Sequence, residues 1–114
     1  MTDPYPFEMN VQELHALRQS SDQSAEQLTL LDIRENHEVE TCAIEGSLHI
    51  PMNDIPDNMD KLPREGMLVV YCHVGGRSAQ VTAWLRGNNV DNAINLIGGI
   101  KAWTEEIDTD MNDY

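Results

Sequence analysis

The stretch "VVYCHVGGRSAQ", Val69 to Gln80, decides the fold. It closes an apolar run, "MLVVY", Met67 to Tyr71, that reads as a central strand. Cys72 follows that strand. Gly75 and Gly76 break the chain, and "SAQVTAWLRGN" then places Val81, Trp84 and Leu85 at helical spacing, with Gly87 or Asn88 near the helix end.

The same alternation extends outward. Asn10 and Glu13 form a capping-box pattern ahead of Val11, Leu14 and Leu17 at helical spacing. After the polar "SSDQSAEQ", Ser20 to Gln27, "LTLLDI" reads as a buried strand, and "ENHEVE" as one or two helical turns. "GSLHIP" is a brief strand stopped by Pro51. "NDIPDNMDKLP" predicts a helix capped by Asn53 and ending near Pro63. "AINLI" is a strand, "GGIKAWTEEI" starts a last helix, and the acidic tail 108–114 frays. Trp84 and Trp103 are expected in the core. Strands alternating with helices argue an α/β fold with a mainly parallel sheet. In such sheets, sites form outside the carboxyl ends of the strands, which is where Cys72 lies.

A chain of 114 residues is expected to be one domain, 1–114, with its core at about 8–107. The net charge of −13 repels nucleic acid and anionic membrane, so neither is an expected partner. Two cysteines, Cys42 and Cys72, make no disulfide framework and read as free thiols. "MTDPYPFEMN" shows no secretory signal, and no apolar stretch approaches a membrane span; the expected location is cytoplasmic.

The loop's residue types point to one chemistry. Glycines allow a tight turn that aims successive N–H groups inward as an anion nest. A helix beginning at Ser78, with Ser78 as its cap, adds orphan N–H groups and a positive dipole end. A cysteine held there favours its thiolate. Arg77 either adds positive charge to the cup or points away and pairs with one of the many carboxylates. The bland alternative is a buried strand-end cysteine beside a glycine turn. Against it, Gly75, Gly76, Arg77 and Ser78 all suit the same anion site.

These residues carry a resemblance. "YCHVGGRSAQ" resembles the active-site loop of rhodanese-like sulfurtransferases. "LLDIRENHEVETCAIEGSLHIPM" is similar to the family's Asp-Val-Arg-Glu segment and its downstream Gly-Ala-x-x-Ile-Pro. "INLIGGIKAW" is similar to its closing Gly-Gly-x-x-x-Trp motif. One departure is Cys42-Ala43-Ile44, where many members have Gly-His-Ile. The resemblance implies a rhodanese-like α/β fold with helices on both faces of the sheet. It also implies a sulfurtransferase in which Cys72 becomes a persulfide, taking sulfane sulfur from a donor such as thiosulfate and passing it to a thiophilic acceptor. His73, Val74, Gly75, Gly76, Arg77 and Ser78 would bind the transferred sulfur, with no metal or organic cofactor. Small anionic donors, and a protein donor or acceptor, are the partners implied. Four residues separate Cys72 from Arg77, against five in the related phosphatases, which favours sulfur over phosphate. The alternative is a non-catalytic or carrier module that relays or senses sulfur on a protein partner.

Asp32 and Arg34 follow a strand and are candidate supporting residues, with a structural tie as the plainer reading. His73 could tune Cys72 or point to solvent. His15, His37 and His49 lack zinc-ligand spacing. Cys42 could resolve an oxidised Cys72, although two free thiols need no such role.

Overall fold

A computed structural model describes residues 5–19 and 28–110. The polar stretch 20–27 and the last residues of the tail, 111–114, lie outside the described residues. The elements are β1 (Glu8–Met9), α1 (Val11–Gln19), β2 (Leu28–Asp32), α2 (Asn36–Thr41), β3 (Leu48–His49), β4 (Met67–Tyr71), α3 (Gly76–Gly87), β5 (Ala93–Leu96) and α4 (Gly99–Glu106). The strands form one parallel sheet in the order β1-β5-β4-β2-β3.

β4 lies at the centre, paired with β2 through Val69↔Leu30 and with β5 through Val69↔Ile94. Its two-residue period divides the core. Val69 and Tyr71 pack on one face with Val11 and Leu14 of α1 and with Ile100 and Trp103 of α4. Leu68, Val70 and Cys72 pack on the other with Val81 and Leu85 of α3 and with Ile55. The chain is therefore α/β with helices on both faces. The period also sends the two cysteines to opposite faces, Cys42 with the first group and Cys72 with the second. Neither forms a disulfide. No helix among the described residues is long and apolar enough to cross a membrane.

The local signals act as their chemistry dictates. Glu13 N–H donates to Asn10 Oδ1 at 2.8 Å and Asn10 N–H to Glu13 Oε1 at 3.1 Å, closing the capping box of α1. α2 is capped the same way by Glu35 and Glu38. Three expectations are corrected. The segment after Pro51 is two 3₁₀ pieces, Met52–Asp54 and Pro56–Lys61, rather than one helix from Asn53. The Asn58 side chain takes Asp54 O at 2.7 Å, the carbonyl its own N–H would use in an α-helix, and that N–H turns to Ile55 O instead. Trp84 is 42% exposed rather than core. The buried stripe of α3 is Ser78, Val81, Thr82 and Leu85, and Trp84 lies roughly 110° round the helix from its centre. There it walls a cavity of about 370 Å³ with Met52, Ile55, Pro56 and Val81. Third, α3 starts at Gly76 with Gly75 at its N-cap, so Ser78 is not the cap. Trp103 is buried as expected.

Candidate active site

Cys72 stands just past the carboxyl end of β4 and is 1% exposed. The loop after it curls back over the sulfur. Gly75 N–H donates to Cys72 Sγ at 3.1 Å and Ser78 N–H at 3.4 Å. The Ser78 hydroxyl is 3.5 Å from Sγ, and the backbone of Arg77 adds a further hydrogen bond. Gly75 makes this turn possible: its φ is +111°, a conformation that a Cβ strains. Gly76 sits at an ordinary helical φ, with open space where a Cβ would go. The expectation that both glycines supply unusual backbone angles therefore holds for Gly75 alone.

Burial pushes the Cys72 thiol up. The Ser78 hydroxyl and the N–H groups of Ser78, Gly75 and Arg77 outweigh it, holding the thiol below its ordinary value. Ser78 is itself held by Asn95, whose Oδ1 accepts its hydroxyl at 2.6 Å. A hydroxyl carries one proton. Facing a neutral thiol it donates to Asn95; facing a thiolate it turns to the sulfur. The Ser78→Ala protein is expected to raise the pH midpoint of Cys72 alkylation by roughly 1–2 units, since a hydrogen bond to a charged group is worth about 1.5–3 kcal/mol. An unchanged midpoint in an alkylation-rate titration would remove Ser78 from the thiolate's support.

The loop is pinned from outside by α4. Ile100 N–H donates to Cys72 O at 3.0 Å and Lys101 N–H to His73 O at 2.9 Å. These bonds fix the first two peptides of the turn. His73 therefore enters the loop through its carbonyl, and Val74 is exposed at the surface.

Arg77 does not stand as a lone cation. Its Nη1 and Nη2 donate to Glu38 Oε1 and Oε2 at 2.9 and 3.0 Å. The Arg77 guanidinium beside Glu38 holds that carboxyl at about 2, against the opposing effect of burial. Glu38 is carried by α2, and α2 is anchored by the pair singled out as supporting residues. Arg34 and Asp32 are fully buried, with Nε–Oδ1 at 2.9 Å and Nη2–Oδ2 at 2.6 Å. Arg34 also donates to Cys42 O at 2.7 Å and to Glu38 O at 3.4 Å, satisfying carbonyls at the end of α2. Burial opposes the Arg34 charge, and Asp32 more than restores it, so its pKa is raised. Neither side chain of this pair bonds to the thiol loop; both act on it through α2. Cys42 backbone is extended, at φ −162° and ψ 154°, so the departure from Gly-His-Ile needs no special residue there.

Sequence reasoning missed Glu38, Asn95 and Gly99 as parts of this site. Asn95 was legible as a polar residue inside the apolar run "AINLI". Glu38 carried no signal, one carboxylate among 20 acidic residues.

A thiol cradled by backbone donors at the carboxyl end of the central strand of a parallel sheet defines a class of α/β proteins with a cysteine-centred anion loop. Within that class the chain belongs to the rhodanese-like domain family, whose pattern matches residues 10–106. It is 38% identical over 78 residues to a sulfurtransferase of Allochromatium vinosum, covering 68% of this chain and 73% of that one. It is 32% identical over 111 residues to the chloroplastic rhodanese-like/PpiC domain-containing protein 12 of Arabidopsis thaliana. That match covers 94% of this chain but 37% of the plant protein. The crystal structure of SSP1007 from Staphylococcus saprophyticus superposes with a TM-score of 0.78 at 32% identity, over 90% of this chain and 97% of that one.

Proposed function

We propose that the chain is a single rhodanese-like domain, core at about 8–107, that transfers sulfane sulfur through a persulfide on Cys72. The observation that carries this is the convergence of the Gly75 and Ser78 N–H groups and the Ser78 hydroxyl on one sulfur. The thiolate attacks the outer sulfur of the donor, the donor's S–S bond breaks, and its electron pair leaves with the remainder, sulfite when the donor is thiosulfate. The new terminal sulfur carries the negative charge and lies in the loop that His73, Val74, Gly75, Gly76, Arg77 and Ser78 form, with their N–H groups in place of water. A thiophilic acceptor, a small thiol or a protein cysteine, then attacks that terminal sulfur and restores the thiolate. The deep burial of Cys72 favours a donor that presents a narrow electrophilic atom such as a terminal sulfur. Two free thiols suit a reducing, cytoplasmic setting.

Mass spectrometry of the protein after exposure to thiosulfate or an organic persulfide tests this reading. The expected result is a gain of one sulfur atom on the Cys72 peptide, reversed by a dithiol. No gain from either donor would overturn it. Loading without catalytic turnover would assign the carrier role instead.

A further inference from the structure

Arg77 is the single arginine of the loop from Cys72 to Ser78, and its charge is already answered. Glu38 engages both of its terminal nitrogens, and the Glu38 side chain is only 12% exposed. The geometry is the bidentate fork that most favours an arginine–carboxylate pair. Glu38 also accepts the Glu35 N–H at 2.9 Å, so its carboxylate is fixed in place at the start of α2. Arg77 directly precedes Ser78, whose N–H donates to Cys72 Sγ at 3.4 Å, so the ion pair is attached to the loop that holds the sulfur. A donor approaching the Cys72 loop thus meets an arginine already neutralised by Glu38, within a protein of net charge −13.

We infer that Glu38 is a specificity-determining residue: paired with Arg77 at the Cys72 loop, it selects organic persulfides, whose reacting form R–S–SH carries no charge, as sulfur donors over small dianions such as thiosulfate. This inference rests on the sulfur-transfer reading above. With such a donor, R–S–SH, the Cys72 thiolate bonds to the outer sulfur and the R–S bond to it breaks. The departing thiolate takes the donor's proton, and Cys72 holds the persulfide anion. No oxidant or reductant is consumed.

Iodoacetamide and iodoacetate isolate the charge from the sulfur chemistry. They have nearly the same shape, differ by one negative charge, and alkylate the same thiolate. Their rate ratio at the Cys72 peptide cancels any change in nucleophilicity. Glu38→Gln keeps a capping-box acceptor at its helix position while removing the charge. It is expected to lower the iodoacetamide-to-iodoacetate ratio about 3- to 10-fold. Arg77→Gln leaves Glu38 unanswered and is expected to raise that ratio. In parallel, Glu38→Gln should improve Cys72 loading by thiosulfate relative to an uncharged alkyl persulfide by a similar factor. A ratio that stays constant in both variants, or that rises in Glu38→Gln or falls in Arg77→Gln, would overturn the role of Glu38 even if both donors load Cys72. Alkylation ratios that shift as expected while neither donor loads any of the proteins would overturn the donor class together with sulfur transfer.

Discussion

The Cys72→Ser protein is expected to lose sulfur transfer by roughly 10³-fold or more, the scale on which removal of a covalent nucleophile acts, while its melting temperature stays close to that of the parent. Serine occupies the same space at the end of β4, and its oxygen accepts from the same Gly75 and Ser78 N–H groups, so packing is preserved. The anion is lost: a serine hydroxyl has no accessible ionised form at neutral pH and cannot form a persulfide. Turnover with an organic persulfide donor and a dithiol acceptor measures the loss, and calorimetry the stability. Near-normal turnover in Cys72→Ser would end the mechanism. Cys42→Ser is the control. Cys42 packs on the opposite face of the sheet and contributes its carbonyl to Arg34, an interaction serine retains. A comparable loss there would point to two-cysteine redox chemistry.

Gly99→Ala is expected to cost roughly 2–5 kcal/mol of stability, combining about 1–2 kcal/mol for a non-glycine residue at positive φ with about 1–3 kcal/mol for overpacking. Gly99 has φ +59°, and a Cβ there would lie 2.5 Å from both Cys72 O and His73 O. Those are the carbonyls that Ile100 and Lys101 N–H groups hold. The methyl group cannot be accommodated by turning a side chain, because the atoms it meets are backbone. Relief requires α4 to withdraw from the loop, which breaks the bonds that shape the turn over Cys72. Thermal unfolding should show a fall of roughly 10–30 °C. Alkylation of Cys72 below its optimal pH should slow, since a distorted loop supports the thiolate less. A variant with the parental melting temperature would mean that α4 does not clamp the loop.

The electrostatic reading alters what pH should do. Glu38 has its carboxyl lowered to about 2, so the charge of the Arg77–Glu38 pair is constant from acid to neutral pH. The stabilisation it supplies is complete above the ordinary carboxylate range and is lost only as pH falls toward about 2. A loss of turnover between pH 8 and pH 5 therefore does not arise from this pair.

Features that depend on residues a few positions apart were legible along the chain. The β-branched run ending at Tyr71 determined a strand with Cys72 at its end, because alternation is a local period. The Asn10–Glu13 box determined where α1 begins, because its two hydrogen bonds close within four residues. The glycines, the serine and the cysteine within "CHVGGRS" made the anion loop legible for the same reason. Long-range packing settles the remaining features. β1 is two residues long, too short to show a period, and exists because Glu8 and Met9 pair with Asn95 and Leu96. Trp84 follows the hydrophobic spacing of α3 but faces a cavity, because the polar residues Ser78 and Thr82 occupy the buried stripe. Arg77 could have met a ligand or any of 20 acidic side chains; the register of β2 beside β4, and α2 hung from it, chose Glu38. Asn95 reaches Ser78, and Gly99 reaches Cys72 and His73, for a like reason. Neighbouring parallel strands deliver residues 17 to 39 positions apart to one end of the sheet, and no local period encodes which of them meet.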